Sequence, residues 1–210
     1  MIARISAFLL TAAFAAPALA DTPVCATTEQ ASNIKAYYEK TRPGVPLAVS
    51  SRFFNVPEFV IASGLPASLS IGTAVTPDQV KAIWNSIDAW GATTRVSLVV
   101  SPGSKHAFAF PSLVPITQKD AKDGYIDVYA DEGRGVHSHI QLDQVAAVYA
   151  TELTDPKPSF KTRAISFFGA DGHLVIGVYA SIKSDPFDDK AVAGFERTRA
   201  LIASMPRICG

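Results

Sequence analysis

The chain has 210 residues, 48% hydrophobic and 18% charged, with 19 basic against 19 acidic side chains and two cysteines. Balanced charge excludes the basic stripe that nucleic acid requires and gives no electrostatic hold on an anionic membrane. The length suits one well-buried domain or a small domain with an appendage, and no low-complexity tract or internal repeat interrupts it.

The opening "MIARISAFLLTAAFAAPALA" has the parts of a secretory signal. Arg4 precedes an apolar run from Ile5 to Ala16, and Ala18-Leu19-Ala20 is an A-x-A site that predicts cleavage after Ala20. The run is too short to span a bilayer and no later span follows, so no membrane insertion is expected after cleavage. The expectation is an exported protein, periplasmic or secreted, organised as a leader over 1–20, a helical region over 21–75 and a sheet domain over 76–210. Without Arg4 it carries 18 basic against 19 acidic residues. Cys25 and Cys209 stand at opposite ends of this exported chain, and in an oxidising compartment they are expected to pair, the alternative being two free thiols. Their spacing excludes a CxxC redox motif and a cysteine-rich zinc site.

"TEQASNIKAYYEKT" (28–41) reads as a helix capped at Thr27 or Thr28 and ended by Arg42-Pro43-Gly44. Two short helical pieces follow, broken around Asn55-Val56-Pro57. They resemble a helix-turn-helix bundle, but without the charge for DNA they read as a packing module. The strongest helix signal is 76–91, with Thr76 as N-cap, Pro77 in the first helical position and Gln79 completing a capping box. Val80, Ile83, Trp84, Ile87 and Trp90 form one apolar stripe, which assigns both tryptophans to the core.

After Gly91 the period changes from 3.6 to 2. Strands are predicted over 93–100, 105–110, 125–130, 136–142, 145–153, 163–168 and 173–182, the last two joined as a hairpin through Gly169-Ala170-Asp171-Gly172. An amphipathic helix closes the chain over 187–204. The fold class is α+β: N-terminal short helices, a long antiparallel β-sheet and a C-terminal helix packed on the sheet.

In chain order, "AYYEKTRPGVPLAVSSRFFNVPEFVIASGLP", "VKAIWNSIDAWGATTRVSLVV", "PGSKHAFAFPSL", "GVHSHIQLDQVAAVYATE" and "AISFFGADGHLVIGVYASIKSD" resemble successive parts of haem-utilisation carriers of the HutX/ChuX type. These in turn resemble one half of the HemS haem proteins. The resemblance implies a saddle-shaped sheet, often dimeric, that receives haem against its face, with histidine or tyrosine as axial ligand and basic side chains at the propionates. His137 and His139 match the family's His-x-His strand, with Ser138 in place of the glycine between them. The histidine expected in the earlier strand falls at Phe108, and His106 matches a neighbouring histidine of some members. The family is normally cytoplasmic, so the leader is a departure.

Residues i and i+2 of a strand share a face roughly 6–7 Å apart. His137 and His139 are therefore expected side by side, as candidate metal ligands, with Gln141 continuing the row. Haem iron needs axial ligands, an apolar slab and cations at the edge. Candidates to join the histidines are His106, Phe108 and Phe110 on the 105–110 strand, provided it lies opposite, with Lys105 and Arg134 for the carboxylates. Copper or zinc on the same pair is the metal alternative. Tyr125, Tyr129, Tyr149 and Tyr179 read as packing residues, and Asp127, Asp143, Glu152 and Asp155 as solvated acids without acid/base spacing. No GxSxG, P-loop or GxGxxG motif is present, so catalysis is not expected. The expected function is haem or tetrapyrrole binding by an exported carrier or storage protein. The alternative is a non-catalytic periplasmic interaction or structural module on the same scaffold with its haem site lost.

Overall fold

The computed structural model describes residues 21–118, 124–155, 160–184 and 186–209. The leader read over 1–20 lies outside them. Three helices come first: α1 (Thr28–Ala36), continued by a π-helical turn to Thr41, then α2 (Leu47–Phe54) and α3 (Glu58–Gly64). Thr27 accepts from the backbone of Gln30 while the Gln30 side chain returns to the Thr27 backbone, so the first orphan amides of α1 are satisfied. Asn55, in the left-handed region at φ 54°, ends α2, and Pro57 opens α3.

Strand β1 (Ser70–Ala74) and helix α4 (Pro77–Asp88) follow. The Thr76–Gln79 capping box and Pro77 at the start of α4 are present as the sequence indicates. Val80, Ile83, Trp84 and Ile87 are all buried, each contributing about 1.5–3 kcal/mol of transfer free energy as an upper bound. Both tryptophans are in the core and hydrogen-bonded: Trp84 Nε1 donates to the Pro115 carbonyl and Trp90 Nε1 to Thr198 Oγ1.

The remaining strands are β2 (Arg95–Val100), β3 (Phe108–Leu113), β4 (Ile116–Thr117), β5 (Tyr125–Tyr129), β6 (His137–Gln141), β7 (Ala147–Thr154), β8 (Lys161–Phe168) and β9 (Leu174–Ser184), before α5 (Asp189–Ala203). They form two antiparallel sheets. The large one has six strands in the order β1-β7-β8-β9-β2-β3, and β4-β5-β6 make a separate three-stranded sheet. Period-2 patterning cannot distinguish one long sheet from two, because it reports alternation along a strand and not the neighbour it pairs with.

Each face of the large sheet has its own core. On one side Leu98, Val178 and Ile165 pack with α4, α5 and the inner residues Ile126, Val128 and Ile140 of the small sheet. On the other side Tyr149, Ala164 and Tyr179 pack under the N-terminal helices through Tyr38, Leu47, Phe59 and Ile61. Buried Glu58 ties that layer down, accepting from Ser51 Oγ, Ser101 Oγ and the Leu174 amide. A disulfide joins Cys25 to Cys209, and the Ile208 amide bonds the Gly72 carbonyl on β1, which fastens the segments around Cys25 and Cys209 to the same edge strand. No helix among the described residues is long and apolar enough to cross a membrane.

Candidate functional site

The small sheet sets the geometry of the histidines. Along β6, Ile140 is buried in the core, so His137, His139 and Gln141 project from the opposite, outer face. Strand β5 alternates in the same way: Ile126 and Val128 point inward, and Tyr125, Asp127 and Tyr129 point outward. Antiparallel register places Asp127 opposite His139, Tyr129 opposite His137 and Tyr125 opposite Gln141. The outer face is thus a two-strand plate of imidazole, phenol and carboxylate.

Three contacts order this plate. His139 Nδ1 lies 2.6 Å from Asp127 Oδ1. The His137 ring stacks on Tyr129 with centroids 5.5 Å apart and an interplanar angle of 12°. The His137 and His139 rings are 5.8 Å apart and nearly perpendicular, at 77°. A carboxylate accepts and an imidazole N–H donates, so the Asp127 bond selects the Nδ1–H tautomer and leaves the Nε2 lone pair of His139 available. The His139 side chain retains 55% of its exposure, so solvent reaches it.

The other candidates lie elsewhere. The strand predicted over 105–110 begins at Phe108; Lys105 and His106 belong to the exposed turn before it, and the His106 carbonyl accepts from Ser101 Oγ. Phe108 and Phe110 are opposite Val100 and Leu98, which puts them on the side of the large sheet that faces the small one. They stack with centroids 6.4 Å apart and keep 51% and 43% of their exposure. The structure therefore unites His137 with His139 and Phe108 with Phe110, but on two sheets, with the imidazoles on the far side of the smaller one. Arg134 sits in the β5–β6 turn with its Nη2 3.4 Å from Asp131 and 3.7 Å from Glu132. In that turn Asp131, Glu132 and Gly133 all have positive φ, a conformation costly for the two non-glycine residues.

Asp127 and Tyr129, which the sequence reading assigns to a solvated rim and to packing, are the direct neighbours of His139 and His137. The signal for them was present: they occupy the polar phase of "YIDVY", between Ile126 and Val128, as the histidines do in "HSHIQ". What was missing was the register. Among the described residues no group of three or more His, Cys, Asp or Glu side chains is arranged to hold a metal ion. An iron bound at His139 would depend on a macrocycle for its equatorial donors, which fits haem better than bare copper or zinc.

A wide groove of about 670 Å³ opens where the two sheets meet. Pro111, Ser112 and Leu113 of β3 form one wall, Ala130, Asp131, Gly135 and Val136 of the β5–β6 turn form the other, and Arg95 of β2 stands at its margin.

The family model for haem utilisation proteins of the ChuX/HutX type matches residues 73–197. No curated protein matches the sequence. Among solved structures, the heme-binding protein ChuX is 18% identical with a TM-score of 0.60, covering 83% of this chain and 99% of its own. PhuS, a heme-binding protein from Pseudomonas aeruginosa, is 12% identical with a TM-score of 0.56, covering 95% of this chain and 52% of its own. ChuS, an E. coli heme oxygenase, is 13% identical with a TM-score of 0.56, covering 85% of this chain and 50% of its own. The chain thus spans about half the length of the last two, and these likenesses establish a shared fold.

Proposed function

The chain belongs to the ChuX/HutX family of haem-utilisation proteins, and on that premise we propose that it binds haem reversibly on the outer face of the small sheet, as an exported, non-catalytic carrier. The observation that carries this reading is the Asp127–His139 hydrogen bond. Histidines that bind metals almost always give their second ring N–H to a carboxylate, carbonyl or water, which fixes the tautomer and raises ligand basicity. His139 has this arrangement on a half-exposed side chain, and His137 and Tyr129 supply flat rings beside it. Haem, when bound, would supply the redox-active iron, and His139 is the residue that would hold it. The chain's own part is to present His139, hold its proton on Nδ1 and offer ring faces to the macrocycle.

The leader-like sequence at 1–20 supports export, and the Cys25–Cys209 bridge is in keeping with an oxidising compartment. A second reading, a structural or interaction module that has lost its haem site, draws on Phe108 standing where the resemblance calls for histidine. Hemin titration separates the two. Binding predicts a saturable Soret shift at one equivalent of hemin, weakened in His139→Ala. Weak, nonsaturating absorbance in the wild type would favour the module.

A further inference from the structure

We propose that the Cys25–Cys209 disulfide is a redox latch on a strap, the segment 206–209, that covers the free edge of β1. The proposal does not depend on the haem reading.

Backbone pairing defines that edge. The Val75 amide bonds the Ala146 carbonyl and the Glu152 amide bonds the Leu69 carbonyl, so Ser70, Gly72 and Ala74 turn their amides and carbonyls away from β7. The Ser70 amide is satisfied by the Pro66 carbonyl. Gly72, in the middle of the edge, is covered by the strap, where the Ile208 amide donates to its carbonyl at 3.2 Å. The Ile208 carbonyl in turn accepts from Tyr149 Oη at 3.1 Å. Tyr149 stands opposite Gly72 in the register, and a Cβ at 72 would meet its ring at 2.4 Å. Glycine at this position is what lets the tyrosine cross the edge strand and reach the strap.

The two halves of the latch are held differently. The segment carrying Cys25 has an anchor of its own, because the Ala26 amide donates to Ser63 Oγ on α3. The strap has little: Pro206 and Arg207 are exposed, and among the described residues its hydrogen bonds are the two made by Ile208. Those bonds and one buried side chain must offset the entropy of ordering the whole segment, and the bridge supplies the remaining constraint. Both cysteines are partly exposed. A dithiol reductant opens the latch by a two-electron exchange. One thiolate attacks a bridge sulfur and the second displaces the mixed disulfide, so the reductant ends as its own disulfide and its two protons pass to Cys25 and Cys209.

Undocking takes the Gly72 carbonyl and the Tyr149 hydroxyl away from Ile208. It also opens a cavity of about 230 Å³, which Arg207, Ile208 and Cys209 wall in against Ala62, Ser63 and Leu65. An uncovered strand edge beside an open cavity can pair with another extended segment, and the oxidised strap prevents this.

The test is amide hydrogen exchange, read by NMR under native conditions, on the wild type before and after reduction with dithiothreitol and on Cys25→Ser/Cys209→Ser. The expected result is that reduction lowers the protection of the Ile208 amide by at least about tenfold more than it lowers that of the β8 amides, because the strap opens locally while the sheet stays folded. The double variant should match the reduced wild type; if it fails to fold, the reduced wild type decides alone. An Ile208 amide with the same protection in both redox states overturns the latch. Equal losses at Ile208 and across β8 overturn it as well, since the bridge would then support the whole fold and not a strap.

Discussion

Asp127 and His139 face each other across the β5–β6 pair with 2.6 Å between carboxylate oxygen and Nδ1. The pair converts an ordinary exposed imidazole into one with a defined tautomer, orientation and free lone pair.

Removing that support should therefore cost affinity without removing the ligand atom. Asp127→Ala is expected to weaken hemin binding about 10–100-fold, the usual effect of losing a partner behind a metal ligand. Asp127→Asn should do less harm, because its amide oxygen still accepts from Nδ1–H. Absorbance titrations of the two variants against wild type give the comparison. Unchanged affinity in Asp127→Ala would mean that His139 needs no such support.

Packing around Trp90 gives a prediction opposite in sign to helix propensity. Gly194 lies within α5, where alanine is usually better by about 1 kcal/mol. A Cβ built there meets the Trp90 indole at 2.3 Å, and Trp90 is buried with its Nε1 bonded to Thr198. Overpacking costs about 1–3 kcal/mol, so it outweighs the propensity gain. Gly194→Ala should lower the urea midpoint; a higher midpoint would show that the indole can move.

Acid sensitivity should be traceable to Glu152. Burial alone would raise its pKa, but hydrogen bonds from Lys161 and Arg163 outweigh burial and hold it below the ordinary value of 4.5. A carboxylate depressed in the folded state stabilises the fold above its unfolded pKa, and that contribution is lost as pH falls through the folded one. Melting temperatures of wild type should thus fall more steeply below about pH 5 than those of Glu152→Gln. Asp88 works in the other direction: burial raises its pKa more than the hydrogen bonds from Thr117 lower it, so its ionisation opposes folding. Asp88→Asn should lose the least at neutral pH.

The terminal bridge closes a loop of 184 residues. Replacing Cys25 and Cys209 together by serine should destabilise the protein by about 2–5 kcal/mol in urea melts. Reducing agent should give wild type the same shift and leave the double variant unaffected. A wild type indifferent to reductant would argue that the bridge adds nothing to stability.

Local signals carried most of the fold. The Thr76–Gln79 box, the stripe from Val80 to Trp90 and the Gly169–Gly172 turn each specify their element through neighbouring residues, and each is present. Elements without a local signature were missed. Ser70–Ala74 has the small residues Gly72 and Ala74 where a strand usually shows bulk, and the Tyr149 ring fills the space above Gly72. Ile116–Thr117 is too short to show alternation. Pro111 sits within β3, which is tolerated because β3 is an edge strand. For the site, alternation placed His137 and His139 side by side, but Asp127 comes beside them only through pairing across strands, which one strand's sequence does not encode.

The most direct measurement is electron paramagnetic resonance of the stoichiometric ferric haem complex in wild type, His137→Ala and His139→Ala. The account predicts an imidazole-ligated spectrum that survives loss of His137 and changes its ligand field on loss of His139. A spectrum indifferent to His139 would contradict it.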